Sequence, residues 1–161
     1  MKAAIIMGSD SDWPILKPAA DILKQFDIES EVVVASAHRT PAKVRDFVLS
    51  AKDKGISVFI VAAGAAAHLA GVVASYTTLP VIGVPINATA LNGMDALLST
   101  VQMPSGVPVA TMAINGAKNA AIFAVQIFAV GNAELAAKLA AYREKMVEEV
   151  EKKAARVAAQ L

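Results

Sequence analysis

The chain has 161 residues, with 15 Lys and Arg against 14 Asp and Glu, two His, no Cys and a net charge of +1. That length suits one domain with a proper core, and the lack of any Lys/Arg cluster outside a C-terminal segment interleaved with Glu argues against a nucleic-acid partner. Without Cys there is no disulfide framework and no thiolate metal site, and two His are too few for a zinc centre, so no metal is expected.

A hydrophobic fraction of 56% and a mean hydropathy of +0.53 are high for a soluble chain this small. Apolar surface left over after folding is therefore expected to be buried between subunits of a homo-oligomer. The apolar run at the N-terminus is too short for a signal peptide. The stretches around 58–67 and 120–130 stay below the roughly 18 residues that a spanning helix needs. No membrane partner is expected, and the cytoplasm is the default location.

In chain order, residues 3–7 are a continuous apolar run of the kind found in strands covered on both faces. After them Gly8-Ser9-Asp10-Ser11-Asp12-Trp13-Pro14 forms a turn rich in helix-capping residues. Ser11 or Asp12 is placed to cap the helix that follows, which runs to about residue 26 with Ile15, Leu16, Ala19, Ile22, Leu23 and Phe26 inward. A second unit pairs strand 31–35 with helix 41–54, ended by Gly55. A third pairs strand 57–62 with a helix to about residue 76. The fourth and fifth pair strand 80–84 with a helix near 94–101, and strand 107–112 with the Ala-rich helix 117–130. Five apolar strands alternating with helices predict an α/β fold, a parallel sheet covered on both faces. Gly131-Asn132 then closes the Ala-rich helix and caps a last one over about 133–159, with the stripe Leu135, Leu139, Tyr142, Met146 and Val150. At 1.5 Å per residue it is roughly 40 Å long, against a radius of gyration of roughly 15 Å for such a domain. Residues 1–132 are accordingly read as the α/β part that carries any site and 133–161 as a helix of the same domain that packs on neighbouring subunits.

Ligands bind parallel sheets at the carboxyl ends of the strands. Ser9 and Asp12 follow the first strand, Ser36, His38 and Arg39 the second, Gly64 and His68 the third. In Ser36-Ala37-His38-Arg39-Thr40-Pro41, Thr40 reads as the N-cap and Pro41 as the first helical residue. Free backbone N–H groups and a helix dipole then stand beside an imidazole and a guanidinium, an anion site with an acid/base group attached. The first turn offers N–H groups and hydroxyls to a phosphate, and Asp12 to a sugar hydroxyl. It is neither a P-loop nor a Gly-x-Gly-x-x-Gly fingerprint. A flavin- or nucleotide-binding module without catalysis stays open on these residues alone.

Six segments fall in register with one family. Met7-Gly8-Ser9-Asp10-Ser11-Asp12-Trp13, Ser36-Ala37-His38-Arg39-Thr40-Pro41, Ala66-Ala67-His68-Leu69, Pro80-Val81-Ile82-Gly83-Val84-Pro85, the stretch from Val101 through Pro104 to Thr111, and Asn119-Ala120-Ala121 together resemble the N5-carboxyaminoimidazole ribonucleotide mutase family of purine biosynthesis. The resemblance implies a flavodoxin-like three-layer αβα sandwich, a homo-octamer, a small-molecule ribonucleotide substrate and no cofactor. It implies transfer of a carboxylate from the exocyclic amine to C4 of an aminoimidazole ring. By the same resemblance Ser9, Ser36 and Arg39 bind the phosphate, Asp12 the ribose, and His38 is the general acid/base. Gly8, the loop Ala63, Gly64, Ala65, His68 and Leu69, and a turn at Gly83-Val84-Pro85 complete the site. In the third-strand loop Ala65 stands where the family has Gly and Ala70 where it has Pro. Ala65 is strained wherever the backbone requires φ > 0. The altered loop keeps a second reaction in view, direct carboxylation of the aminoimidazole ribonucleotide by CO₂.

Overall fold

The computed structural model describes residues 1–160. Its elements are β1 (Lys2–Met7), a 3-10 turn at Asp10–Asp12, α1 (Trp13–Gln25), β2 (Glu29–Val34), α2 (Pro41–Leu49), β3 (Ile56–Gly64), α3 (Leu69–Tyr76), β4 (Val81–Ile86), α4 (Met94–Val101), β5 (Ala110–Thr111), α5 (Ala117–Ala129) and α6 (Ala133–Ala158). The strands form one sheet in the order β2-β1-β3-β4-β5, parallel at every pairing. The order reverses at β1, so the crevice above the carboxyl ends of β1 and its two neighbours is the place for a ligand.

The apolar runs of β1, β3 and β4 are buried almost throughout, as strands covered on both sides must be. On one side Ala4, Ile6, Phe59 and Val61 of the sheet pack with Val44, Phe47 and Val48 of α2 and Leu69, Ala70 and Val73 of α3. Phe47 and Phe59 meet edge to face, with ring centroids 6.5 Å apart. Such a contact adds about 0.5–1.5 kcal/mol to the burial itself. The edge strand β2 carries charged side chains paired with cations: Lys2 Nζ of β1 lies 3.0 Å from both Glu29 and Glu31, and Lys54 Nζ lies 3.0 Å from Glu31.

Three elements depart clearly from the sequence reading. Helix α2 ends at Leu49 rather than at residue 54. Residues 50–55 continue as turns, with Gly55 at φ 72°. Strand β4 runs on through Pro85 to Ile86, so Gly83-Val84-Pro85 is interior strand and not a turn walling the site. Proline is tolerated there because β5 pairs only Ala110 and Thr111, with Ile82 and Gly83, and the ladder on that side ends before Pro85. Strand β5 is two residues long instead of six. Pro104 and Pro108 lack the N–H groups that a longer ladder needs, and Val107 N–H turns back to the Pro104 carbonyl.

The chain divides into two units, residues 1–124 and the part from Val125 onward. In the second, Asn132 Oδ1 accepts from Leu135 N–H at 2.9 Å and caps α6. Glu134 pairs with Lys138 at 3.1 Å and Glu148 with Lys152 at 3.8 Å. Of the apolar stripe only Leu135 is buried, while Met146 and Val150 are exposed. Leu161, the last residue of the predicted C-terminal segment, lies outside the described residues. No helix among the described residues is long and apolar enough to cross a membrane.

Candidate active site

Three loops meet above β2, β1 and β3. The first leaves β1 at Met7. Ser9 caps the 3-10 turn: its Oγ accepts from Ser11 N–H at 3.3 Å, and its own N–H donates to Asp12 Oδ2 at 3.2 Å, a reciprocal capping box. Ser11 Oγ donates to Ser9 Oγ at 2.8 Å. The expected cap of α1 by Ser11 or Asp12 is thus replaced by Ser9, one turn earlier; Asp12 occupies the N-cap position of α1 but makes no side-chain cap bond there. Asp12 is buried, and loss of water raises its pKa above the usual carboxylate value; the Ser9 N–H works against that rise and nearby Asp10 adds to it.

The second loop follows β2. Arg39 N–H donates to Ser36 Oγ at 3.2 Å and Thr40 N–H to the Ser36 carbonyl at 2.9 Å. Thr40 is the N-cap residue of α2 by position, yet its hydroxyl turns back to Ser36, accepting from its N–H at 2.9 Å and donating to its carbonyl at 3.1 Å. The side chain that sequence reading assigned to the helix therefore holds the loop. Pro41 begins the helix as expected. Lys43, one turn on, donates to the Val34 carbonyl at 2.8 Å.

The third loop follows β3. Gly64 has no room for a side chain, since a Cβ there would stand 2.6 Å from Ala88 Cβ. Ala65 has φ 52°, the left-handed conformation that an alanine adopts at a cost. Tight bonds follow, Ala67 N–H to the Ala65 carbonyl and His68 N–H to the Ala66 carbonyl, both 2.8 Å. This coil brings His68 to the start of α3.

Two contacts tie the loops together. Arg39 Nη2 donates to the Gly8 carbonyl at 3.0 Å. His38 Nε2 lies 3.0 Å from His68 Nδ1, with the rings 5.0 Å apart between centroids and at 78° to each other. Strands β2 and β3 flank β1 rather than each other, so the imidazole pair reaches over the end of β1. Two clefts adjoin, sharing Ser36 and Arg39. One, of about 250 Å³, is lined by Ala37, His38, Ala63, Gly64, Ala66 and Leu69 as well. The other, of about 340 Å³, is lined by Gly8, Ser9, Asp10, Val34, Ala35 and Thr40 as well. Of the residues singled out in the sequence, Gly8, Ser9, Ser36, His38, Arg39, Ala63, Gly64 and Leu69 line one cleft or the other. Asp12, Ala65 and His68 line neither cleft: Asp12 is buried and holds Ser9, while the exposed Ala65 and His68 shape the loop and meet His38. Ala66 lines the cleft as part of the 63–68 loop expected to wall the site; sequence reading missed Ala37 as a lining residue and Lys43 as a neighbour of Val34, and only the latter, a cation three residues into α2, carried any signal.

A parallel sheet of this order, with its clefts over the strand ends at the point of reversal, defines a flavodoxin-like α/β protein with a crevice where such sheets take ligands. The family within that class is shown by comparison with known proteins. Residues 2–149 match the model of the AIR carboxylase family, and the chain belongs to it. A Thermotoga maritima protein named N5-carboxyaminoimidazole ribonucleotide mutase is 53% identical over 156 residues, spanning 97% of this chain and 91% of its own length. A Pyrococcus horikoshii protein of the same name is 54% identical over 153 residues, 95% of this chain and 86% of its own. The crystal structure of Treponema denticola PurE superposes with a TM-score of 0.85 at 28% identity, covering 96% of this chain and 97% of that one.

Proposed function

We propose that the chain is an isomerase of purine biosynthesis that converts N5-carboxyaminoimidazole ribonucleotide into 4-carboxy-5-aminoimidazole ribonucleotide. The observation that carries the reading is identity above half, across nearly the whole chain, with proteins bearing that mutase name. The site chemistry supports it. Ser9, Ser36 and Arg39 bind the phosphate beside Gly8 in the cleft of about 340 Å³, Asp12 binds the ribose, and the ring lies toward His38 beside Ala63, Gly64 and Leu69, with Ala65 and His68 holding the loop and His38.

In this mechanism the His38 imidazolium protonates the carbamate-bearing nitrogen, the N–C bond breaks, and CO₂ leaves the amine. The electron-rich C4 then attacks the CO₂ carbon. Neutral His38 removes the C4 proton, restoring the aromatic ring and its own charge. One imidazole suffices because it gives the first proton and takes the second. The small residues Ala63, Gly64 and Ala66 leave a tight space in which CO₂ is held until C4 captures it. Direct carboxylation of the aminoimidazole ribonucleotide is the alternative on the same site, and the identity to mutases disfavours it.

The active form is a cytoplasmic homo-octamer in which the C-terminal helix, 133–161, packs on neighbouring subunits. Support comes from the exposed stripe of α6 and from exposed apolar residues at Leu91, Met94, Leu98 and Val101. Ultraviolet detection of product tests the reaction. Purified protein is given the carbamate substrate without bicarbonate, and separately the aminoimidazole ribonucleotide with bicarbonate. Rapid product in the first arm, with the second needing high bicarbonate, is the expected result; product only in the second overturns the mutase reading.

A further inference from the structure

His38 Nε2 and His68 Nδ1 are 3.0 Å apart, so one ring donates and the other accepts. Among the described residues no protein group bonds the remaining nitrogen of either ring. The polarity of the bond follows from the chemistry His38 performs, and the inference rests on that acid/base reading. When His38 is an imidazolium both of its nitrogens are donors, so His68 Nδ1 has to accept. When His38 is neutral and about to take a proton, one nitrogen must be bare. If the bare nitrogen were Nε2, the bond to His68 would reverse in every turnover, with a change of tautomer in both rings. If it is Nδ1, the bond keeps one polarity throughout.

We propose that His68 is the positioning residue for His38: its Nδ1 accepts from His38 Nε2–H, so that His38 gives and takes the substrate proton through Nδ1. His68 is thereby fixed as the Nε2–H tautomer. The role matches that of the group that orients a catalytic base from behind, here filled by a neutral ring instead of a carboxylate. A neutral partner leaves His38 free to return to the uncharged state that the second step needs. With the two nitrogens 3.0 Å apart and the ring centroids 5.0 Å apart, the nitrogens lie close to the line between the rings, so the His38 N–H faces the His68 nitrogen. Placement of His68 depends on the Ala65–Ala67 coil, which gives the strained backbone at Ala65 a purpose.

The chain has only two histidines, so ¹⁵N-histidine labelling resolves each ring nitrogen, assigned by comparison with His68→Asn and His38→Asn protein. In the resting enzyme the expected spectrum has both rings protonated at Nε2 and bare at Nδ1, the bare Nδ1 of His68 accepting from His38. His68→Leu is expected to lower kcat by about 10- to 100-fold with KM nearly unchanged, and to leave His38 as a mixture of tautomers. His68→Asn, which can set an amide oxygen near the former Nδ1, is expected to recover most of the loss. A resting His38 bare at Nε2, wild-type kcat in His68→Leu, or equal loss in both variants overturns the proposal. The resting spectrum decides the polarity even if a variant fails to fold. Because it involves no turnover, it also stands apart from failure of the mutase reaction, which wild-type protein and His38→Asn report.

Discussion

The guanidinium of Arg39 donates to the carbonyl of Gly8 across 3.0 Å, closing the gap between the loops that follow the first and second strands. Both adjoining clefts include Arg39 in their lining. A phosphate arriving beside Gly8 and Ser9 therefore meets a guanidinium that is already in place. Arg39→Ala is expected to raise KM by about 10- to 100-fold, the range for losing a charged hydrogen bond, with kcat much less affected. Arg39→Lys should rescue little, because an ammonium cannot present the planar fork. Steady-state kinetics of both variants decide the matter.

His38→Asn is expected to abolish turnover, with kcat lower by at least about 100-fold, while the substrate still binds. Calorimetric titration of the variant with product separates the two effects. Near-normal turnover would remove His38 from the acid/base role.

Burial raises the pKa of Asp12. A carboxyl with a raised folded-state pKa contributes fully to stability below its unfolded value, and that contribution is lost as pH rises through the folded value. At neutral pH the ionised, buried Asp12 thus weighs against the fold. Asp12→Asn keeps an oxygen for the Ser9 N–H, and it is expected to gain stability over wild type on going from mildly acidic to neutral pH. Urea denaturation of both proteins across that range measures it, and kinetics should show weaker substrate binding in the variant.

Glu31 shifts the other way, because Lys54 and Lys2 hydrogen-bond its carboxylate and lower its pKa. Its contribution is present above the unfolded value and lost as pH falls through the folded one. The pair geometry is solvent-exposed, so Glu31→Gln should cost less than about 1 kcal/mol at neutral pH and nothing in strong acid. High salt should shrink the difference further.

Ala65 at φ 52° tests the loop directly. An alanine in this region costs about 1–2 kcal/mol, and glycine gives back part of the relief through its greater unfolded freedom, about 0.5–1 kcal/mol. Ala65→Gly is expected to raise Tm modestly and to keep His68 in place. Gly83→Ala is expected to do the opposite, since its Cβ would stand 2.5 Å from Thr100 Cγ2 and 2.9 Å from Val109 Cγ1. Overpacking of this kind costs about 1–3 kcal/mol, which calorimetry will register as a lower Tm.

Much of the fold could be read before the structure was seen, for a physical reason. Strands buried on both faces write continuous apolar runs, and β1, β3 and β4 show them. Helix starts with proline in the first turn are equally plain at Pro14 and Pro41. What escaped depends on partners distant in sequence. Nothing local to Pro85 says that its neighbour β5 will already have left the ladder. Thr40 looks like a helix cap, and only the folded loop shows its hydroxyl serving Ser36 instead. The meeting of His38 with His68 was legible as a shared sheet edge, but the 3.0 Å contact depends on two loops leaning over β1.

The most direct test of the central claim follows the carboxylate itself. Substrate carrying ¹³C in its N5-carboxylate is turned over in unlabelled bicarbonate, and the product is analysed by ¹³C NMR. Retention of the label at the C4 carboxylate is predicted, because the CO₂ released beside His38 is recaptured before it escapes. Product carrying carbon from the bulk bicarbonate would contradict the account and mark the chain as a carboxylase.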